Sequence, residues 1–285
     1  LIFLTSHRRV YRFAACRGVE GGEFGPNQMK ELRLRPYFCP DESLAMPTIS
    51  IKGQQMPDSP IRKLAPFANA AKAAGRHVIH LNIGQPDIAS PQPALDAMRN
   101  LEQSVIAYSP SEGFASYRDG LAHYYASVGV QVSADEILVT TGGSEALVFA
   151  FMSCLNPGDE VIIPEPFYAN YNGFATMAGV RIVPVTARIE DGFALPPMDD
   201  FAAAITERTK AILVCNPGNP TGKVYADDAM QALASLVKEN DLFLFADEVY
   251  REFTYEGETP RSVLTFPGLE ENAILVDSVS KRYSM

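Results

Sequence analysis

Four short segments of this 285-residue sequence carry side chains whose types and spacing could do chemistry. Thr140-Thr141-Gly142-Gly143-Ser144-Glu145 joins an apolar run to a helical one. Glycines there let the backbone approach a ligand closely, and the N–H groups of a helix start suit a phosphate. The segment is neither a P-loop nor a Gly-x-Gly-x-x-Gly fingerprint, which argues against ATP and dinucleotide chemistry. Asn216-Pro217-Gly218-Asn219-Pro220-Thr221-Gly222 is a tight turn sequence that presents an amide. Phe243-Leu244-Phe245-Ala246 runs into Asp247-Glu248-Val249-Tyr250. A carboxylate at the mouth of an apolar strand needs a cationic or proton-donating partner if it is buried. Asp277-Ser278-Val279-Ser280-Lys281 ends on a lysine whose amine, once enclosed, attacks carbonyl carbon. Each segment alone has a structural reading as a helix entry, a turn or a solvated loop. Together they meet the needs of pyridoxal 5′-phosphate: a cradle for its phosphate, a carboxylate for its pyridine nitrogen, donors for its ring oxygen and an amine for its aldehyde.

The elements that must position these residues are legible as alternating short apolar runs and helical windows. Strands are predicted at Ile137–Thr140, Val161–Ile163, Arg181–Val185, Ala211–Cys215, Leu242–Ala246 and Ile274–Asp277, with a further strand-like run at Val78–Ile83. Amphipathic windows lie at Ser144–Leu155, Tyr168–Ala178, Met198–Ile205 and Asp227–Glu239. Before them, a helix is expected from Ser59 as N-cap and Pro60 as first residue to Gly75, another from Ser90-Pro91, and a third over Ala115–Val128. Strands alternating with helices make an α/β fold, a three-layer α/β/α arrangement around a mostly parallel sheet. Ligands of such sheets sit at the carboxyl ends of the strands, where all four segments fall.

Composition narrows the function classes. A formal charge of −10 argues against a nucleic-acid surface and against binding to anionic membranes. The longest apolar run, Leu147–Leu155, is far shorter than a bilayer span. Cys16, Cys39, Cys154 and Cys215 sit at irregular spacing, as free thiols of a reducing, cytoplasmic compartment would. His77 and His80 would point to opposite faces of their expected strand, and no cluster has zinc spacing, so no metal is expected. Residues 1–45 differ from the rest: seven Lys and Arg outnumber five Asp and Glu, and no period persists, so this stretch is expected to be a disordered extension outside the fold.

From Met46 onward the sequence resembles the fold-type I pyridoxal-phosphate enzymes, and among them the class I aminotransferases of the prokaryotic aspartate aminotransferase kind. The resemblance rests on Asn82-Ile83-Gly84-Gln85-Pro86-Asp87, Tyr108-Ser109-Pro110-Ser111-Glu112-Gly113, Gly142-Gly143-Ser144-Glu145-Ala146 and the Asn216, Asp247 and Ser278 segments, in the family's order. It implies an aminotransferase of L-amino acids and 2-oxo acids, aspartate being the first candidate, with a carbon–sulfur lyase of the same fold as the neighbouring alternative. Lys281 would bind the cofactor covalently and shuttle the proton; Asp247 would keep the pyridine nitrogen protonated; Asn219 and Tyr250 would hydrogen-bond the ring oxygen. Gly143, Ser144 and Ser278 would hold the phosphate, Tyr168 would stack on the ring, and Gly84, with Asn219 and Tyr168, would contact substrate. Tyr108 would reach the phosphate of a neighbouring subunit, which implies a homodimer. Residues 46–92 then correspond to an N-terminal arm and the start of a small domain, and 93–285 to an incomplete cofactor-binding large domain. The family continues past the lysine with a Pro-Gly-x-Arg-x-Gly-like stretch and the arginine that grips the substrate carboxylate. This sequence stops at Met285, so the resemblance implies a C-terminally truncated chain, with a non-catalytic cofactor-binding fragment as the other reading.

Overall fold

The computed structural model describes residues 2–4, for which only the backbone is considered, 48–59 and 61–285. The expectations that fall on residues 5–47 and on Pro60 lie outside the described residues. Seven strands are described: β1 (Ile2–Leu4), β2 (Ile137–Val139), β3 (Glu160–Glu165), β4 (Arg181–Thr186), β5 (Thr209–Cys215), β6 (Phe243–Asp247) and β7 (Ala273–Asp277). They form one sheet in the order β2-β1-β7-β6-β5-β3-β4. From β7 to β4 every neighbouring pair is parallel. β1 runs antiparallel to both β2 and β7, so three residues of the expected extension are part of the sheet.

The central strands alternate strictly between two cores. Ile212, Val214, Leu244, Ala246 and Leu275 join one cluster; Ala211, Leu213, Phe245, Ile274 and Val276 join the other. Period-2 burial on both faces explains why these strands read as continuous apolar runs. Helices α4 (Ala115–Ser127), α7 (Met198–Ala204) and α8 (Asp227–Glu239) supply Tyr125, Phe201 and Leu233 to the first cluster. Helices α5 (Gly143–Cys154) and α6 (Tyr171–Ala178) supply Phe151 and Tyr171 to the second. This is the three-layer α/β/α arrangement expected from the sequence.

The N-terminal described region is thinner. Helices α1 (Ile51–Gln55), α2 (Ala65–Ala73) and α3 (Gln92–Arg99) bury no residue fully. Ser59 accepts the Arg62 N–H at 3.4 Å and opens a single 3-10 turn before α2, so the expected helix from Ser59 is split. The run Val78–Ile83 forms no strand: Ile79, Leu81 and Ile83 are 71%, 92% and 55% exposed. An apolar run becomes a strand only where another backbone edge takes up its N–H and C=O groups, and among the described residues this run pairs with none of the strands of the sheet. With the strand goes the argument that His77 and His80 face opposite ways. Among the described residues no group of three or more His, Cys, Asp or Glu could hold a metal, and no helix is long and apolar enough to cross a membrane.

Candidate active site

Three parallel strands end side by side at the candidate site. Asp247, last residue of β6, pairs in register with Cys215, last residue of β5, and with Val276 of β7, one residue before Asp277. Beyond β5 the Asn216 N–H still reaches the Asp247 carbonyl at 3.0 Å, and beyond β6 the Glu248 N–H reaches that of Val276 at 2.8 Å. The ladder therefore fixes the roots of all three loops before any side chain is considered.

Asp247 is buried, and among the described residues no cation forms an ion pair with it. Its Oδ2 accepts the Tyr171 hydroxyl at 2.7 Å and its Oδ1 the Val249 N–H at 3.3 Å. Burial pushes its carboxyl up to about 6; the two hydrogen bonds oppose this, and the Asp277 and Glu248 carboxylates add to it. Tyr171 is itself fully buried, and desolvation with the Asp247 charge raises its phenol well above the ordinary value. The sequence reading required a cationic or proton-donating partner for Asp247; the structure supplies the second kind.

Tyr171 was missed in the sequence, where it counted only as one apolar position of a helical window. Its signal was the spacing Tyr168-x-x-Tyr171, which sets two aromatic rings against one another at a helix entrance. The two rings meet edge to face, with centroids 5.4 Å apart, and Asn170 donates to the Tyr168 hydroxyl at 2.7 Å. The helix begins at Tyr171, so Tyr168 stands ahead of it in the loop after β3, half-buried.

On the β5 loop, Asn219 Nδ2 donates to the Tyr250 hydroxyl at 3.2 Å, which joins the two expected ring-oxygen donors. Burial, then the Cys215 and Asp247 charges, push the Tyr250 phenol up to about 12. The loop is closed by Gly218 N–H to Lys223 O and Gly222 N–H to Gly218 O, both 2.8 Å.

Lys281 lies on α9 (Val279–Arg282), whose N-cap Ser278 accepts the Ser280 N–H at 3.1 Å. Its Nζ donates to the Gly84 carbonyl at 2.8 Å, across 197 residues of sequence. Two expected site residues are thus brought into contact. Gly143 and Ser144 open α5, where their N–H groups have no acceptor within the helix. Gly142 precedes them with φ 104°, a conformation that glycine adopts freely, and Glu145 folds back to accept the Thr141 N–H at 2.6 Å. Tyr108 is fully exposed.

The profile of aminotransferase class I and II matches residues 76–285. The chain belongs to this family. A putative aminotransferase of Bacillus subtilis, YugH, is 38% identical over 235 residues, covering 81% of this chain and 59% of the relative. The aspartate/prephenate aminotransferase of Thermus thermophilus is 36% identical over 213 residues, 74% of this chain and 54% of that one. A solved structure of aspartate aminotransferase from Thermus thermophilus with maleate superposes with a TM-score of 0.78 at 34% identity, covering 84% of this chain and 62% of that chain. The chain thus spans somewhat more than half the length of the relatives it matches.

Pyridoxal 5′-phosphate is the cofactor of this family, and the residues present fit it. A buried carboxylate without a cation suits a protonated pyridine nitrogen, and a glycine-led helix entry suits a phosphate. An amine beside a strand end suits an aldehyde.

Proposed function

We propose that the protein carrying this chain is a pyridoxal-phosphate-dependent aminotransferase that moves an amino group between an L-amino acid, with aspartate the first candidate, and a 2-oxo acid. The observation that carries the reading is the pairing of opposite needs at adjacent strand ends: an amine held by hydrogen bond at the end of β7 and a buried, cation-less carboxylate at the end of β6.

Lys281 would leave the Gly84 carbonyl, hold the cofactor through its amine nitrogen and, when released, carry a proton between substrate carbon and cofactor. Asp247, oriented by Tyr171, would hold a proton on the pyridine nitrogen. Asn219 and Tyr250 would donate to the ring oxygen, and Gly143, Ser144 and Ser278 would bind phosphate oxygens. Tyr168 would cover one ring face and, with Gly84 and Asn219, meet the substrate. When bound, the cofactor supplies an electron sink that none of the twenty side chains offers. Tyr108 would complete the site of a second copy, which makes the working form a homodimer; the thiols of Cys154 and Cys215 suit a cytoplasmic location. Residues 46–92 serve as arm and start of a small domain, and 93–285 as the cofactor domain.

The test is to incubate the purified chain with pyridoxal 5′-phosphate, reduce with borohydride, and map the modified peptide. Modification at Lys281 that vanishes in Lys281→Ala is the expected result, followed by aspartate-dependent formation of glutamate from 2-oxoglutarate in the protein that carries the chain. Modification spread over surface lysines, unchanged in Lys281→Ala, would overturn the reading.

A further inference from the structure

The lysine sits on a helix of only four residues, too short to hold its own shape. What holds it is the residue next to it. Arg282 turns away from the candidate site into the protein, where its side chain is 6% exposed. Its Nη2 donates to both oxygens of Asp277, at 3.1 and 2.9 Å, and its Nε to Glu252 Oε2 at 2.7 Å. The guanidinium also lies 4.5 Å from the ring centroid of Tyr124, whose hydroxyl meets the same Glu252.

Asp277 is fully buried and has every acceptor position occupied. Besides Arg282 it takes the Tyr125 hydroxyl and its neighbour Ser278 N–H, both at 2.7 Å. Tyr125 is fully buried in α4, with Arg251 over its ring at 5.1 Å, and Arg251 pairs with Glu248, the residue after Asp247. A continuous polar chain therefore runs from the end of β6, through α4 and the end of β7, to the helix that carries the lysine.

We infer that Asp277 and Arg282 form a positioning pair that holds Lys281 at the site: Nη2 of Arg282, bonded to both Asp277 oxygens, grips the end of β7 and so fixes the single turn that carries the amine, while Glu252, which takes the Nε–H, and Tyr125 fix the pair. The inference rests on the reading of Lys281 as the cofactor-binding amine. A planar guanidinium that gives Nη2–H to one carboxylate and Nε–H to another restrains direction as well as distance, which a lysine in place of Arg282 would not. Neither residue touches the lysine side chain, so the pair acts through the backbone of α9.

Hydrogen exchange in the cofactor-free chain separates this role from a merely structural one. In Arg282→Met and Asp277→Asn, amides of residues 278–283 should exchange at least about tenfold faster while those of β6 keep the parent rate, with Arg282→Lys intermediate. Borohydride-fixed attachment of pyridoxal 5′-phosphate at Lys281 should slow in the same order. The double variant should be no worse than the poorer single one, because each change removes the same pair. Where Asp277→Asn does not fold, Arg282→Lys decides alone. Unchanged exchange at 278–283, or equal acceleration in β6 and α4, would overturn the inference. Attachment that persists in Lys281→Ala would instead overturn the aminotransferase reading and leave the exchange result standing.

Discussion

The buried Asp247 should make the cofactor-free protein less stable as pH rises. An unfolded aspartate titrates near 3.9, whereas the folded Asp247 is pushed up to about 6, chiefly by burial. Between these values the folded chain binds more protons than the unfolded one, so the stability that this group confers falls with rising pH. Below about pH 3 the acid is protonated in both states and the penalty vanishes; above about pH 7 it is fully present. A difference of about two units corresponds to about 3 kcal/mol. Asp247→Asn removes the charge but keeps one acceptor for the Tyr171 hydroxyl, and leaves an amide N–H₂ to satisfy, at about 1–2 kcal/mol. The variant should therefore be less stable than the parent near pH 4 and more stable near pH 7.5, with a swing of about 3 kcal/mol.

Urea unfolding followed by circular dichroism, on both chains from pH 4 to 7.5, measures the swing directly. Glu248 is also raised by burial, but it is common to both chains, so the difference between them reports Asp247. Added pyridoxal 5′-phosphate should reverse the order at pH 7.5, because a pyridinium would give the parent carboxylate the cation it lacks. A difference that stays within about 1 kcal/mol across the range would refute the reasoning that Asp247 is held charged against its desolvation.

Three further outcomes follow from the loops. Gly142→Ala should cost about 1–3 kcal/mol in urea unfolding through backbone strain alone, since φ 104° and ψ 161° are open essentially to glycine only and a methyl there meets nothing within 4 Å. Gly113→Ala should cost clearly more, because its Cβ would come within 2.6 Å of Val139 Cγ2 at a φ of 96°. Tyr250→Phe should weaken binding of pyridoxal 5′-phosphate about tenfold in an absorbance titration while changing stability by less than about 1 kcal/mol, because it removes one donor that is already bonded to Asn219.

How much of this was legible beforehand depended on how local the cause was. The central parallel strands announced themselves because they are buried on both faces and read as apolar runs; β5 and β6 differ from expectation by one or two residues at their ends. Strand ends then located the site residues without any tertiary knowledge. Val78–Ile83 failed because its alternation is a local property, whereas a strand needs a neighbour, and that neighbour is not encoded within the run. The polar partners were hidden for the same reason. Tyr171 lies 76 residues from Asp247, and Tyr125 lies 152 from Asp277. Glu160, fully buried at the start of β3, is satisfied by Arg181 at the start of β4 and by Thr206 and Arg208 from the loop before β5. Sequence shows that a buried acid needs a partner; only the fold shows which partner it finds.

Asp247 and Asp277 make that distinction informative. Both are buried acids ending adjacent parallel strands, and both accept a tyrosine hydroxyl at 2.7 Å. Asp277 also has Nη2 of Arg282 on both its oxygens, whereas the other influences on Asp247 are a backbone N–H and two like charges. A buried carboxylate with an internal guanidinium is complete and serves to hold other groups in place. One without a cation is stable in its charged form only when something else brings the charge. The same local architecture has thus been completed at one strand end and left open at the next. The open end lies beside the strand that delivers Lys281, and its charge is felt by the Tyr250 phenol on the loop that follows, as the proposed binding of a cationic aromatic nitrogen requires.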